Sequence, residues 1–265
     1  MNRLQKITSR DNPSLVKVRK IRDGKVPGKI FVEGQRLASE ALRSRLTITD
    51  CFVAEEFRNR ELLREAGERS RISELPEKLF HSIADTQSPQ GIVLIAERPQ
   101  CTLAAIEGSL ASSHLPMVLY FSEIKNPSNL GAVLRTAEAA GVAGVITSRR
   151  SADIYSTKAL RSAMGATFRL SVVENIFFDD VLKWAGDHEL ITTATIATAE
   201  LSYAELNWKR PRLLIFGSEA HGLSINHLEA VTERISIPLE NDVESLNLAV
   251  SAGILLFEAK RQART

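Results

Sequence analysis

At 265 residues, with 44% apolar and 25% charged side chains, the chain has room for one large domain or two ordinary ones and is too apolar to be disordered. Its two cysteines, Cys51 and Cys101, are far apart and form no CxxC pair, which argues against a disulfide framework or a zinc site and fits a reducing compartment; no run of 18 apolar residues suggests a membrane helix. Net charge is only +2, but residues 1–99 carry 19 Lys+Arg against 14 Asp+Glu, residues 100–265 carry 15 against 18, and residues 1–29 hold nine basic to two acidic.

In chain order, Asn12-Pro13 opens a basic helix whose apolar face is Leu15, Val18 and Ile21. KIFVEG is predicted as a strand, QRLASEALRS as a helix and ITDCFVA as a strand. A helix follows over Asn59–Arg69, and GIVLIAE at 91–97 reads as a buried strand. These elements predict a small α/β sandwich. Polar and breaker residues cluster at 98–116, so the expected division is 1–100, a linker over 101–115, and 116–265.

The second part also alternates. MVLYFSEI is predicted as a strand, Asn129–Ala140 as a helix, GVITS as a strand and Ser156–Gly165 as a helix. FRLSVV is predicted as a strand, Phe177–Asp187 as a helix, and ELITTATI, RLLIFG and RISIPL as strands. Leu246–Arg261 closes the chain as a long helix. Strands spaced by helices predict a parallel sheet covered on both faces, with ligands at the carboxyl ends of its strands.

Three segments sit at such ends: NPSNLGAVLRTAEAAGV at 126–142, LLIFGSEAHGLS at 213–224 and IPLENDVESLNLAVSAGILLFE at 237–258. Asn126-Pro127-Ser128-Asn129 suits a turn that caps a helix, and Arg135 lies six residues after Asn129. Gly217 and Gly222 bracket Ser218-Glu219-Ala220-His221, where a glycine after a buried strand lets backbone amides face a ligand. Pro238 fixes a strand exit, Ser245 suits a helix cap, and Asn247 offers a donor and an acceptor. Each segment alone also reads as an ordinary capped helix or turn.

Together they resemble the three motifs of the SpoU/TrmH branch of the SPOUT methyltransferases, which transfer a methyl group from S-adenosylmethionine to a ribose 2′-oxygen of RNA. LRSAMGATFRL is similar to that family's Ser-x-Gly-Ala segment at Ser162, Gly165 and Ala166. Phe31-Val32-Glu33-Gly34, Arg36 and Glu40-Ala41-Leu42 resemble its substrate-binding domain. The resemblance implies an α/β fold: a SPOUT-type parallel sheet with a C-terminal trefoil knot, preceded by a small L30e/L7Ae-like α/β domain. It also implies a homodimer with the site completed near the subunit interface, and an enzyme acting on RNA, ribosomal RNA first; the cysteine spacing and the lack of an apolar run of membrane length make the expectation a cytoplasmic protein without a metal. The implied catalytic residues are Asn129, Arg135, Glu219, Ser245 and Asn247. Gly217, Ile237, Pro238 and Leu246 are the implied cofactor-binding residues, and Lys17, Arg19, Lys20, Arg36 and Arg161 are expected to meet RNA. One departure stands out: family members commonly carry a glycine in the loop after the Ile-Pro-hydrophobic strand, and Asn241 occupies that place here.

The chemistry explains why such a site needs no metal. A neutral 2′-hydroxyl must lose its proton while its oxygen lines up with the methyl group; alignment supplies about 7–11 kcal/mol and a general base about 10²–10⁴-fold. An arginine stays protonated, so Arg135 is better suited to holding a phosphate or the nascent oxyanion than to acting as a base. His221 is not a position that the family motif fixes. Within the same class a transfer-RNA substrate or an antibiotic-resistance methylase of ribosomal RNA stays open, as does a non-catalytic RNA-binding assembly factor. A dinucleotide oxidoreductase lacks support, because no GxGxxG follows the first strand of either half.

Overall fold

The computed structural model describes residues 5–113 and 115–264, so His114, inside the expected linker, lies outside the described residues. The chain forms two compact units, residues 1–99 with 154–169, and residues 100–153 with 170–265.

The first unit runs β1 (Gln5–Lys6), α1 (Pro13–Arg22), β2 (Lys29–Glu33), α2 (Gln35–Arg43), β3 (Ile48–Ala54), α3 (Arg60–Arg69), β4 (Arg71–Leu75), α4 (Glu77–Ile83) and β5 (Ile92–Glu97). Its sheet has the order β1-β4-β3-β5-β2, with β1 and β3 parallel to β4 and with β5 antiparallel to both β3 and β2. Asn12 caps α1 by accepting from the Ser14 amide at 2.9 Å, with Pro13 in the first turn. Leu15, Val18 and Ile21 of α1 join Phe31, Phe52, Phe80 and Val93 in one core. Gly34 leaves β2 at φ +98°, a conformation open to glycine, and turns the chain straight into α2. Strands β1 and β4 and helix α4 add to the expected elements. RISEL alternates too weakly to announce a strand, and its place between β1 and β3 comes from tertiary pairing.

The second unit begins with α5 (Leu103–Ser112), β6 (Leu115–Phe121), α6 (Pro127–Ala140) and β7 (Val142–Thr147). Then α7 (Thr157–Ala163) and a 3₁₀ turn (Ala166–Phe168) fold with the first unit. The second unit resumes with β8 (Val172–Val173), α8 (Phe178–Asp187), β9 (Ile191–Thr195), β10 (Arg212–Phe216), α9 (Ile225–Glu229), β11 (Glu233–Ile235) and α10 (Leu248–Ala263). The sheet order is β11-β9-β10-β6-β7-β8 and every pairing is parallel. Such a sheet is buried on both faces, which is why MVLYF and RLLIF are almost unbroken apolar runs. Val118, Tyr120, Leu213 and Ile215 share one core with Ile106 of α5 and with Phe178, Val181 and Trp184 of α8. The alternate strand residues face the other way, where α6 and α10 pack together against the sheet. Each fully buried aliphatic or aromatic side chain contributes about 1.5–3 kcal/mol.

Three expectations change. The stretch 101–115 contains α5, whose Ile106 is buried against β7. The strand expected at FRLSVV shrinks to Val172–Val173, because Met164 (φ +50°) ends α7 and a 3₁₀ turn consumes Ala166–Phe168. The strand expected at RISIPL stops at Ile235; beyond it the pairing is a lone bridge between Ser202 and Ser236.

One buried charge braces the edge of this sheet. Arg212 of β10, 1% exposed, donates to Thr193 of β9, to Glu233 of β11 and to the Asn207 carbonyl (2.9 Å), and lies over the Trp208 ring. A buried guanidinium is tolerable only when hydrogen-bonded and paired in this way.

Candidate active site

The carboxyl ends of β6 and β10 lie side by side, since Phe121 pairs with Phe216 and the Ser122 amide donates to the Phe216 carbonyl at 2.9 Å. From β6 the chain runs five residues to Asn126, which caps α6 by accepting from the Ser128 (2.9 Å) and Asn129 (3.4 Å) amides. From β10 it enters a tight turn closed by reciprocal backbone hydrogen bonds between Ser218 and Gly222, at 3.0 and 2.9 Å. Gly217 is obligatory there: a Cβ on it would lie 2.4 Å from the Gly222 carbonyl carbon and 2.6 Å from the Leu223 nitrogen.

The turn presents Glu219 to the start of α6. Its carboxylate accepts from the Lys125 amide (3.3 Å), the Asn126 amide (3.2 Å) and the Asn129 side-chain amide (2.5 Å). A carboxylate at a helix N-terminus is also favoured by the helix dipole. Asn129 in turn accepts, through Oδ1, from the Asn247 side-chain amide at 3.2 Å. Asn247 is the N-cap of α10 and accepts from the Ala249 amide at 2.9 Å. Glu219, Asn129 and Asn247, one from each sequence motif, thus form a single relay. Because Asn247 takes the capping role, Ser245 does not cap the helix; it is exposed and lines the cleft.

That cleft measures about 710 Å³. Asn129, Glu219, Ser245 and Asn247 line it, and so do Gly217, Ile237 and Leu246. Pro238 and Arg135 do not. Arg135 is exposed on α6, with no ion pair or hydrogen bond among the described residues. Six residues from Asn129 is about 600° of helical rotation, which turns Arg135 about 120° away from the relay. Sequence reasoning missed Thr195–Thr198, which follow β9 and form another wall of the cleft. The general rule that ligands sit at the carboxyl ends of parallel strands would have pointed to them. Asn241 adopts φ +57° and Asp242 φ +56°, so the loop between β11 and α10 takes left-handed backbone where the family commonly has a glycine.

The cleft fits S-adenosylmethionine on its own geometry. Its volume falls in the usual range for small-molecule sites. Gly217 brings bare backbone to its floor, Leu239 and Leu255 give apolar wall, and Asn129 and Asn247 give amides. Among the described residues no group of His, Cys, Asp and Glu has the arrangement of a metal site.

Of the residues expected to meet RNA, Lys17 and Lys20 are exposed on α1 and Arg36 is exposed at the start of α2. Arg19 is engaged within the unit, donating to the Arg10 carbonyl (3.2 Å) and to Ser82 Oγ (2.9 Å). Arg161 pairs with Asp85 at 2.7 Å. Burial by itself raises the Asp85 pKa, but hydrogen bonds from Arg161 and Thr157 and the Arg161 and Arg22 charges outweigh it and hold the carboxyl below its ordinary value.

Residues 116–257 match the SpoU rRNA Methylase family, and residues 12–94 match the MRM3-like substrate binding domain. The chain belongs to the SpoU rRNA methylase family. It is 29% identical to the mitochondrial rRNA methyltransferase 3A of Danio rerio, across 98% of this chain and 68% of that protein. It is 31% identical to the 23S rRNA (guanosine(2553)-2'-O)-methyltransferase RlmP of Bacillus subtilis, across 87% of this chain and 88% of that one. The crystal structure of AdoMet-bound rRNA methyltransferase from Sinorhizobium meliloti superposes with a TM-score of 0.83 at 26% identity, covering 97% of this chain and 98% of that chain.

Proposed function

We propose that this SpoU-family chain methylates a ribose 2′-hydroxyl of RNA, ribosomal RNA first, with S-adenosylmethionine as methyl donor. The observation that carries this reading is the Glu219–Asn129–Asn247 relay at the mouth of a cleft large enough for the cofactor. S-adenosylmethionine supplies an electrophilic methyl group on a sulfonium centre. Gly217, Ile237 and Leu246 hold the cofactor through backbone, with Pro238 fixing the direction of the strand exit behind Ile237. Glu219 fixes the start of α6 and the amide of Asn129, and Asn247 holds the other side of that amide. A locked amide pair and the Ser245 hydroxyl then orient the incoming ribose. Such preorganised dipoles act most strongly in a site that excludes water.

Arg135 belongs to this reading through a second copy of the chain. It stands on α6, which packs against α10, and α10 leaves Val250 and Phe257 each about half exposed. An apolar pair at i, i+7 on a helix is a suitable seam for a homodimer. In that dimer the Arg135 guanidinium serves the neighbouring cleft, where it holds the RNA phosphate or the developing 2′-oxyanion. The trefoil knot belongs to the same proposal: α10 closes the cleft after the loop that follows β11. Lys17, Lys20 and Arg36 supply exposed cations in the first unit for RNA phosphates, and Arg19 and Arg161 stiffen that surface. A cytoplasmic location goes with this role; no helix among the described residues is long and apolar enough to cross a membrane.

The test is transfer of labelled methyl from S-adenosylmethionine to unmodified ribosomal RNA, ribosomal subunits and transfer RNA, beside Arg135→Ala. Label in ribosomal RNA that is lost in the variant supports the enzyme, and nuclease digestion locates the ribose. Label only in transfer RNA moves the substrate class. No label in any of them, from folded protein, favours a binding factor.

A further inference from the structure

Phe177 is an aromatic side chain left in solvent. It is 53% exposed, at the N-cap of α8 just beyond β8. The Arg149 guanidinium lies over its ring, 4.3 Å from the centroid. Neither residue belongs to a family motif quoted above.

The position of this pair is fixed from the sheet. The Ile176 amide donates to the Thr147 carbonyl at 3.1 Å, and the Tyr120 hydroxyl donates to the Ile176 carbonyl at 3.2 Å. Phe177 therefore stands at the carboxyl ends of β7 and β8, on the same edge of the sheet as the cleft. The Arg149 backbone is held by Ser148, whose hydroxyl donates to the Arg149 carbonyl at 2.9 Å and accepts from the Glu123 amide at 2.7 Å. A short path leads from there to the relay. Lys125 Nζ donates to the Arg150 carbonyl at 2.6 Å, and the Lys125 amide donates to Glu219 at 3.3 Å. Three strand spacings separate β10 from β8, about 14 Å, a distance spanned by about four stacked nucleotides.

We infer that Phe177, backed by Arg149, is a stacking platform for an unpaired base of the RNA substrate, a few nucleotides from the ribose in the cleft. This rests on the RNA-methylating function proposed above. An aromatic ring with a guanidinium on one face and solvent on the other gains a second stacked partner when a base arrives; stacking of this kind tolerates any base. The local charges favour a base over a phosphate. Glu123 lies 3.6 Å from both Lys125 and Arg150 and offsets them, and Asp179 and Asp180 occupy the first turn of α8. Those same carboxylates make the surroundings of Phe177 unlike the apolar core of a protein interface.

The test uses the full chain and a short fluorescein-labelled single-stranded oligoribonucleotide of mixed sequence, with a blunt RNA duplex beside it. Phe177→Leu keeps apolar volume but removes the π-face, and Phe177→Trp keeps the π-face and reports on it. We expect Phe177→Leu to weaken single-strand binding about 5- to 150-fold, the equivalent of about 1–3 kcal/mol for one stacked base, with duplex binding, S-adenosylmethionine affinity and melting temperature kept. Phe177→Trp binds as wild type and its emission is quenched by the single strand. Wild-type binding by Phe177→Leu, or unquenched Trp emission at saturating RNA, overturns the platform while leaving the methylation reading intact. A wild-type protein that neither binds nor methylates RNA overturns both.

Discussion

Asn129 is held from both sides: its Nδ2 donates to Glu219, ninety residues later, and its Oδ1 accepts from Asn247, 118 residues later. That double tie fixes which end of the amide faces which partner. It also couples the beginnings of α6 and α10 to the turn after β10.

Glu219→Gln places amide hydrogens against a cluster of three donors. Hydrogen bonds to a charged group are worth about 1.5–3 kcal/mol each, so single-turnover methyl transfer should fall at least about tenfold and the melting temperature should drop. Unchanged transfer in Glu219→Gln would remove the carboxylate from the proposed mechanism.

Asn247 has two jobs that two variants separate. Asn247→Asp keeps the cap on α10 but has no hydrogen to give Asn129, so melting should hold while transfer falls about fivefold, for about 1 kcal/mol. Asn247→Ala loses both and should also destabilise the fold by about 0.5–2 kcal/mol, measured by denaturant unfolding.

Gly217→Ala forces a methyl group into backbone that no rotamer change can move aside. About 1–3 kcal/mol of destabilisation is expected, together with loss of S-adenosylmethionine binding by calorimetry. Normal affinity in this variant would mean that the 217–223 turn is not part of the cofactor floor.

Asn241 accepts a left-handed backbone that a β-branched residue resists by about 1–2 kcal/mol. Asn241→Gly should bind S-adenosylmethionine at least as tightly as wild type. Asn241→Val should bind about 5- to 30-fold more weakly. Equal affinity in both would detach this loop from the cofactor.

The two cysteines should behave oppositely toward iodoacetamide at mildly alkaline pH. Burial, with a smaller push from Asp50, raises the Cys51 thiol to about 12, so it stays protonated in the folded protein. Cys101 is only partly buried. Peptide mass analysis should find Cys101 alkylated and Cys51 untouched until the protein is denatured.

Much of this architecture is legible in the residues. The parallel sheet shows in MVLYF, GVITS and RLLIF because strands buried on both faces need apolar side chains throughout. Asn126-Pro127 and Asn12-Pro13 announce their helices because a cap and a fixed φ are local devices. Hidden features depend on distant partners. Strand β4 is held by its neighbours, the tie between Asn247 and Asn129 spans 118 residues, and Thr195–Thr198 join the cleft through sheet order alone. Arg135 is legible as a motif residue, yet its separation from the relay follows from helical rotation and the sheet beneath.

The segment 154–169 folds with residues 1–99, so the chain passes between the two units three times rather than once. A fragment ending at residue 99 would leave Asp85 without Arg161 and Glu40 without Arg169. The first unit is therefore not a detachable cassette. Any exchange of it between relatives must carry a second piece of sequence from the far side of β7, and a cut anywhere in 154–169 reaches both halves of the protein.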